Sequence, residues 1–412
     1  MNSIRGLELA PDRLPPRVRT RLSDLDRLRE VWTGHQIRRP GHQWADNRVR
    51  LFRRHILELR ALAGRAPVSS ELADRLVARG WDAGDLLAPE LREELRLEER
   101  ALVAMAADCR AGRDLTPEYL DTLTRSLTGV DSTVPAGRFG DCLAAATAAR
   151  THPVIRAALV YLCSENALRE AGGADAGLRH DPLPWAMASL VLMRANHPPL
   201  VADHRPLSSP SPGLDPQGRL VQIVELFVEL EIAAMRGELS WAAGGGETGP
   251  GGCGEALARA VYRRLLDRLR QRAATLSMVL REIDPATTVR VTAGDLTDEG
   301  RHGDRMDSAA ERALFVRGAS WWVCLETGSA DAELRLLLTL QEVGAPSTGV
   351  LAVTADARLE TPDGSEDVLD LGCTDCVTLV STDTADERWP AVAELADEVI
   401  SRAVGRLTTV MA

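Results

Sequence analysis

A chain of 412 residues with 45% apolar and 26% charged residues has the balance of an ordinary globular protein and room for two or three domains. All 49 basic residues are arginine, which excludes every chemistry resting on a lysine amine: the P-loop lysine, the kinase strand lysine and the pyridoxal or aldolase Schiff base. The net charge is −11, but residues 1–70 hold 15 Arg against 7 Asp or Glu. Such an arm suits a nucleic acid or a phosphate-bearing partner. With aromatics at only 4%, stacking platforms are missing. The favoured reading is therefore that these arginines pair with the acidic remainder of the chain, and nucleic acid is not the expected partner.

The first residues, MNSIRGLELAPDRLPPRVR, carry no secretory apolar run, and no stretch approaches 18 uninterrupted apolar residues. Seven cysteines, an odd and sparse set, suit a reducing compartment. The expectation is a cytoplasmic protein with no membrane segment.

In chain order, residues 12–65 read as helices. SDLDRLREVW has Ser23 as a cap candidate, with Leu25, Leu28 and Val31 at helical spacing. WTGHQIRRPGHQWADN reads as a loop. Val49, Phe52, Ile56, Leu59 and Ala63 share one face of a second helix. SSELADRLVARG has a Ser70 cap and a Gly80 stop. ELREELRLEERALVAMAADCRAG ends at Gly112, and Thr116-Pro117 opens the next helix. CLAAATAARTHPVIRAALVYLCSENALREAGG, WAMASLVLMRAN and LVQIVELFVELEIAAMRGELSWA are long apolar helices. GGGETGPGGCG at 244–254 is a linker, and EALARAVYRRLLDRLRQRAATLSMVLREID closes the helical part.

After residue 285 the pattern changes to Val-, Thr-, Leu- and Trp-rich runs with turn residues between them, which are strands. AELRLLLTLQEVG and TGVLAVTADARLE form the clearest hairpin, and RWPAVAELADEVISRAVGRLTTVM is a final amphipathic helix. The expected fold class is mainly α, with a smaller α+β domain carrying an antiparallel sheet. The expected domains are 1–115, 116–284 and 285–412.

Three stretches resemble the Fic (Fic/Doc, Fido) family. PVIRAALVYL at 153–162 is similar to the helix before that family's motif. WAMASLVLMRANHPPLV at 185–201 is similar to the helix after it. It ends in the L-x-R-A-G-x-P-P pattern, present here as Leu192, Arg194, Ala195, Asn196, Pro198 and Pro199. LVQIVELFVELEIAAMRGELS at 220–240 is similar to a later helix. Leu14-Pro15-Pro16 and PAGRFGD at 135–141 are weaker echoes. The resemblance implies a helical fold. The family motif, H-P-F-x-[DE]-G-N-G-R-x-x-R, supplies a base, a Mg²⁺ carboxylate and a phosphate cradle for phosphoryl transfer. Here the base position falls on Leu168 or Ala174, the final Arg on Trp185, and the connection is longer. The activity is therefore not carried over, and the resemblance implies a pseudoenzyme that binds a protein or a nucleotide-like ligand in a regulatory role.

The alternative is a rebuilt site in loop 170–184, with His180 as a base and Asp181 or Asp175 as a metal ligand. Ligand-binding candidates are Arg179 in that loop and Arg194, His197, Asp203, His204 and Arg205 around the Pro-Pro corner. His152 reads as a cap or a surface residue. No metal site is expected: Cys373-x-x-Cys376 lacks two further ligands, and the His35 and His42 doublet lacks carboxylates. No cofactor and no oligomeric state can be read. A third alternative is a nucleic-acid regulator acting through residues 1–70.

Overall fold

The computed structural model describes residues 14–38, 41–64, 70–83, 87–128, 151–170, 181–203, 215–241, 255–295, 320–329, 332–343, 348–369, 371 and 375–411. In chain order these form helices α1 (Pro16–Arg38), α2 (Gly41–Leu62), α3 (Ser70–Arg79), α4 (Pro89–Arg110), α5 (Pro117–Thr128), α6 (Pro153–Glu170), α7 (Pro182–Arg194), α8 (Pro216–Trp241) and α9 (Glu255–Ile283). Strands β1 (Thr288–Asp295), β2 (Ser320–Gly328), β3 (Glu333–Glu342), β4 (Val350–Thr361), β5 (Gly364–Asp367) and β6 (Val377–Val380) follow, and α10 (Ala385–Met411) comes after them. The class is mainly α with a smaller α+β part, as expected. No described helix is long and apolar enough to cross a membrane.

The chain divides into two compact units: residues 1–30 with 38–238, and residues 31–37 with 239–412. The helix α9 thus belongs with the sheet, not with the helices before it.

The first unit is built from helices. In α1, Val18, Leu22, Leu25 and Leu28 are buried at steps of three and four, and Leu14 just before it is buried too, one stripe of a 3.6-residue period. This helix begins at Pro16, so Ser23 lies inside it and is not a cap. The stretch read as a loop, WTGHQIRRPGHQWADN, is helical up to Arg38, in α1, and again from Gly41, in α2. Gly34 lies inside α1 without breaking it, since one glycine costs a helix only about 1 kcal/mol. Gly80, at φ +89°, ends α3 as the sequence indicates, and its N–H reaches Leu76 O at 2.9 Å. Thr116 Oγ1 accepts the Tyr119 N–H at 3.2 Å and starts α5.

The apolar helices α6 and α7 are packed against each other. Every residue of α7 from Leu183 to Leu192 is buried. Trp185, on α7, meets Tyr161 of α6 and Phe227 of α8 at ring-centroid distances of 5.3 and 5.8 Å. These rings anchor the centre of the unit.

The second unit holds an antiparallel meander, β1-β2-β3-β4, with β5 and β6 both paired to β4. The hairpin β3–β4 matches the sequence reading, with Leu338 opposite Ala355. Leu334, Leu336, Leu338, Leu340, Val353, Ala355 and Leu359 face the helices α9 and α10 and share one core with them. Arg268 and Arg272 of α9 both bind Asp397 of α10. Thr384 and Glu387 form a capping box at the start of α10: Thr384 Oγ1 accepts the Glu387 N–H, and Glu387 Oε2 accepts the Thr384 N–H. Trp321 packs on the helix-facing core. Trp322 is buried on the opposite face with Cys324 and Leu337.

Candidate functional site

Of the sequence candidates, Asp181, Arg194, His197 and Asp203 are among the described residues. Asp181 lies immediately before α7 and caps it, its Oδ1 accepting the Leu183 N–H at 2.9 Å. Burial raises its pKa, and the Leu183 N–H opposes that. Asp175, Arg179 and His180, like His204 and Arg205, lie outside the described residues, as do PAGRFGD at 135–141 and the 244–254 linker. Among the described residues, no group of three His, Cys, Asp or Glu could hold a metal ion.

At its other end α7 closes in a Schellman turn. His197 N–H bonds Leu192 O at 3.0 Å, and Asn196 N–H bonds Met193 O at 3.1 Å. Asn196 has φ +58°, a left-handed conformation that glycine or asparagine takes at least cost. Arg29, from α1, donates to the carbonyls of Ala195 at 2.8 Å and Asn196 at 3.2 Å. A guanidinium there satisfies the free carbonyls of the helix end and its negative dipole. Arg194 turns away and binds the Arg113 carbonyl.

The turn delivers His197 inward. Its Nδ1 lies 3.0 Å from Glu231 Oε2, with both side chains fully buried. Burial drives both groups toward their neutral forms. It lowers His197 to about 3, and the positive charges of Arg29, His152 and Arg156 add to that while Asp26 opposes it. It raises Glu231 well above the carboxylate range, reinforced by Glu238 and opposed by Arg48 and Arg29. His197 Nε2 and Glu231 Oε1 are buried without a hydrogen-bond partner.

His152 stands beside this pair, its ring centroid 6.4 Å from that of His197. Its Nδ1 accepts the Val154 N–H at 3.2 Å, so it caps α6. Its Nε2 then donates to Asp26 Oδ1 at 3.2 Å. Burial raises the Asp26 pKa, but the His152 hydrogen bond and the charges of His152, His197 and Arg29 outweigh that and hold it low.

Beyond His197 the chain runs buried and irregular to Asp203. Ser189 Oγ accepts the Leu200 N–H at 3.1 Å. His55 Nδ1, on α2, accepts the Ala202 N–H at 3.1 Å. Burial lowers the His55 pKa to about 4. The structure thus brings His197 and Asp203 into one buried segment and sends Arg194 elsewhere.

Sequence reasoning missed Glu231, His55, Asp26 and Arg29 here. It also missed Glu165 at the end of α6. This carboxylate is 2% exposed and takes Arg219 of α8 through both oxygens, at 2.6 and 2.5 Å, and Arg169 at 3.4 Å. The signal available was a charged residue inside an apolar helical run, at Glu165 and again at Glu231. Among the described residues, several arginines of 1–70 pair within the first unit: Arg17 and Arg21 with Glu225 and Glu229, Arg48 with Glu238, Arg53 with Glu99, and Arg60 with Glu94 and Glu98.

No family model, no curated protein and no solved structure matches this chain.

Proposed function

We propose that the helical unit is a non-catalytic, regulatory module that binds a protein or a nucleotide-like ligand, on a Fic-like arrangement of helices whose catalytic motif is gone. The observation that carries the reading is the work given to the candidate chemical groups. Asp181 is spent on the α7 cap, His197 is sealed against Glu231, and Arg194 holds a carbonyl. A reacting group must reach substrate with a proton or lone pair to spare, and these side chains are committed to the fold. Two features support the Fic-like part. The helices α6 and α7 pack against each other, and Asn196 takes the left-handed position where the family pattern has glycine.

The test pairs thermal denaturation with a labelling assay. The full chain is melted with ATP or GTP, each with and without Mg²⁺, and is incubated with nucleotides labelled in the α-phosphate. The expected result is a melting point raised by one nucleotide, with no label transferred and no turnover. Transferred label or turnover that is lost in His180→Ala overturns the reading in favour of a rebuilt enzyme. An unchanged melting point overturns the nucleotide-like ligand and leaves the protein partner.

A further inference from the structure

The segment His197–Asp203 is seven consecutive buried residues without regular secondary structure. Buried backbone polar groups need partners, and a segment outside helix and sheet must find them singly. Pro198 and Pro199 contribute no N–H at all. Its fastenings include the His197 N–H on Leu192 O, the Leu200 N–H on Ser189 Oγ, the Ala202 N–H on His55 Nδ1 and the His197 ring on Glu231, and Asp203 is held as well. Two of these use imidazole. His55 can accept the Ala202 N–H only while its Nδ1 keeps a lone pair, since a protonated ring has two donors and no acceptor.

We infer that residues 197–203 are a strap released by acid, with His55 and His197 as its two proton-sensitive fastenings and the surrounding helices staying folded. The groups facing His197 are Asp26 and Arg29 from α1, His152 and Arg156 from α6, and Glu231 from α8. Arg29 and Arg156 resist a proton on His197 in place, so the proton is taken by the released form. Around His55 burial alone acts. Fastened, the two rings titrate near 3 and 4; released into water, near the ordinary 6.5. Between those limits each ring takes up one proton on release. Each pH unit therefore multiplies the released population about tenfold per imidazole. Glu231 lies against His197, and its burial-raised carboxyl gives up a proton as release lets water reach it, which offsets one imidazole at most.

Hydrogen exchange read by peptide mass on the full chain, at pH 7.5, 6.5 and 5.5 with rates corrected for chemical exchange, tests the strap. Protection of the 197–203 amides is expected to fall about fivefold or more from pH 6.5 to 5.5, while α6 keeps its protection. In His55→Gln, whose amide oxygen accepts the Ala202 N–H without titrating, the fall shrinks by about fivefold. Ser189→Ala removes a fastening that does not titrate, so it raises release equally at every pH. Strap protection that ignores pH overturns the inference. So does an equal loss in α6, which marks global unfolding. Should His55→Gln not fold, the wild-type contrast between strap and α6, with the Ser189→Ala profile, decides it.

Discussion

Glu231, midway along α8, and His197, three residues past the end of α7, meet at 3.0 Å with neither side chain exposed. Truncating Glu231 to Ala leaves an imidazole nitrogen without a partner beside a cavity. The expected loss is about 3–5 kcal/mol. Glu231→Gln keeps the shape and one hydrogen bond, and is expected to lose less than about 1 kcal/mol. Urea denaturation midpoints of the two variants check this ordering.

The same buried groups set a dependence of stability on pH. His55 and His197 have lowered folded pKa values, so their contribution is full above about 6.5 and is lost as pH falls toward about 4 and about 3. Glu231 is raised, so its contribution is full below its ordinary value and lost as pH rises. Between about 4.5 and 6.5 the two imidazoles make stability rise with pH, and the raised carboxyl of Glu231 offsets part of that rise. Glu231→Gln removes the opposing proton and steepens the slope toward two protons, whereas His55→Gln flattens it. Denaturant midpoints at pH 5, 5.5 and 6 read both changes.

Asp181 caps α7 through the Leu183 N–H. Asp181→Ala is expected to cost about 1 kcal/mol, while Asp181→Ser and Asp181→Asn, which can still accept that N–H, cost a few tenths. Thermal melts of the three variants distinguish a cap from a chemical role. Asp181→Asn retains the cap and loses the charge, so any activity that it abolishes belongs to the carboxylate itself.

Asn196 at φ +58° turns the chain inward at the end of α7. Asn196→Gly is expected to be neutral or slightly stabilising. Asn196→Ala costs about 1 kcal/mol, and the β-branched Asn196→Val costs more. A melting series over the three variants shows the order.

In the sheet, Gly294 lies opposite Trp322. A Cβ on Gly294 would stand 2.7 Å from Trp322 Cζ2, so the indole must shift. Gly294→Ala is expected to cost about 1–3 kcal/mol and to alter the near-ultraviolet circular dichroism of the tryptophans.

Periodicity made the helices and the β3–β4 hairpin legible, because each is set by nearby residues. The α1–α2 region was misread because Gly34, Gly41 and Pro40 look like punctuation when taken alone. β5 escaped because GSED has no apolar residue to show an alternation. In α8, Val224, Phe227 and Leu230 are buried at steps of three, yet residues 231–239 are buried all round. Wholly buried helix surface has no period to detect. The candidate site was half legible. His197 and Asp203 lie in the chosen stretch, whereas Glu231 and His55 stand 34 and 142 residues from His197 along the chain, a proximity that only tertiary packing creates.

The leucine-lined side of the meander rests on α9, made before the strands, and on α10, which follows every strand in the chain. During synthesis the sheet can zip from neighbour to neighbour while half of its roof has yet to leave the ribosome. In that interval the nascent chain shows water a greasy flank and is most prone to self-association. The pace of translation ahead of residue 385 thus bears on the yield of folded molecules.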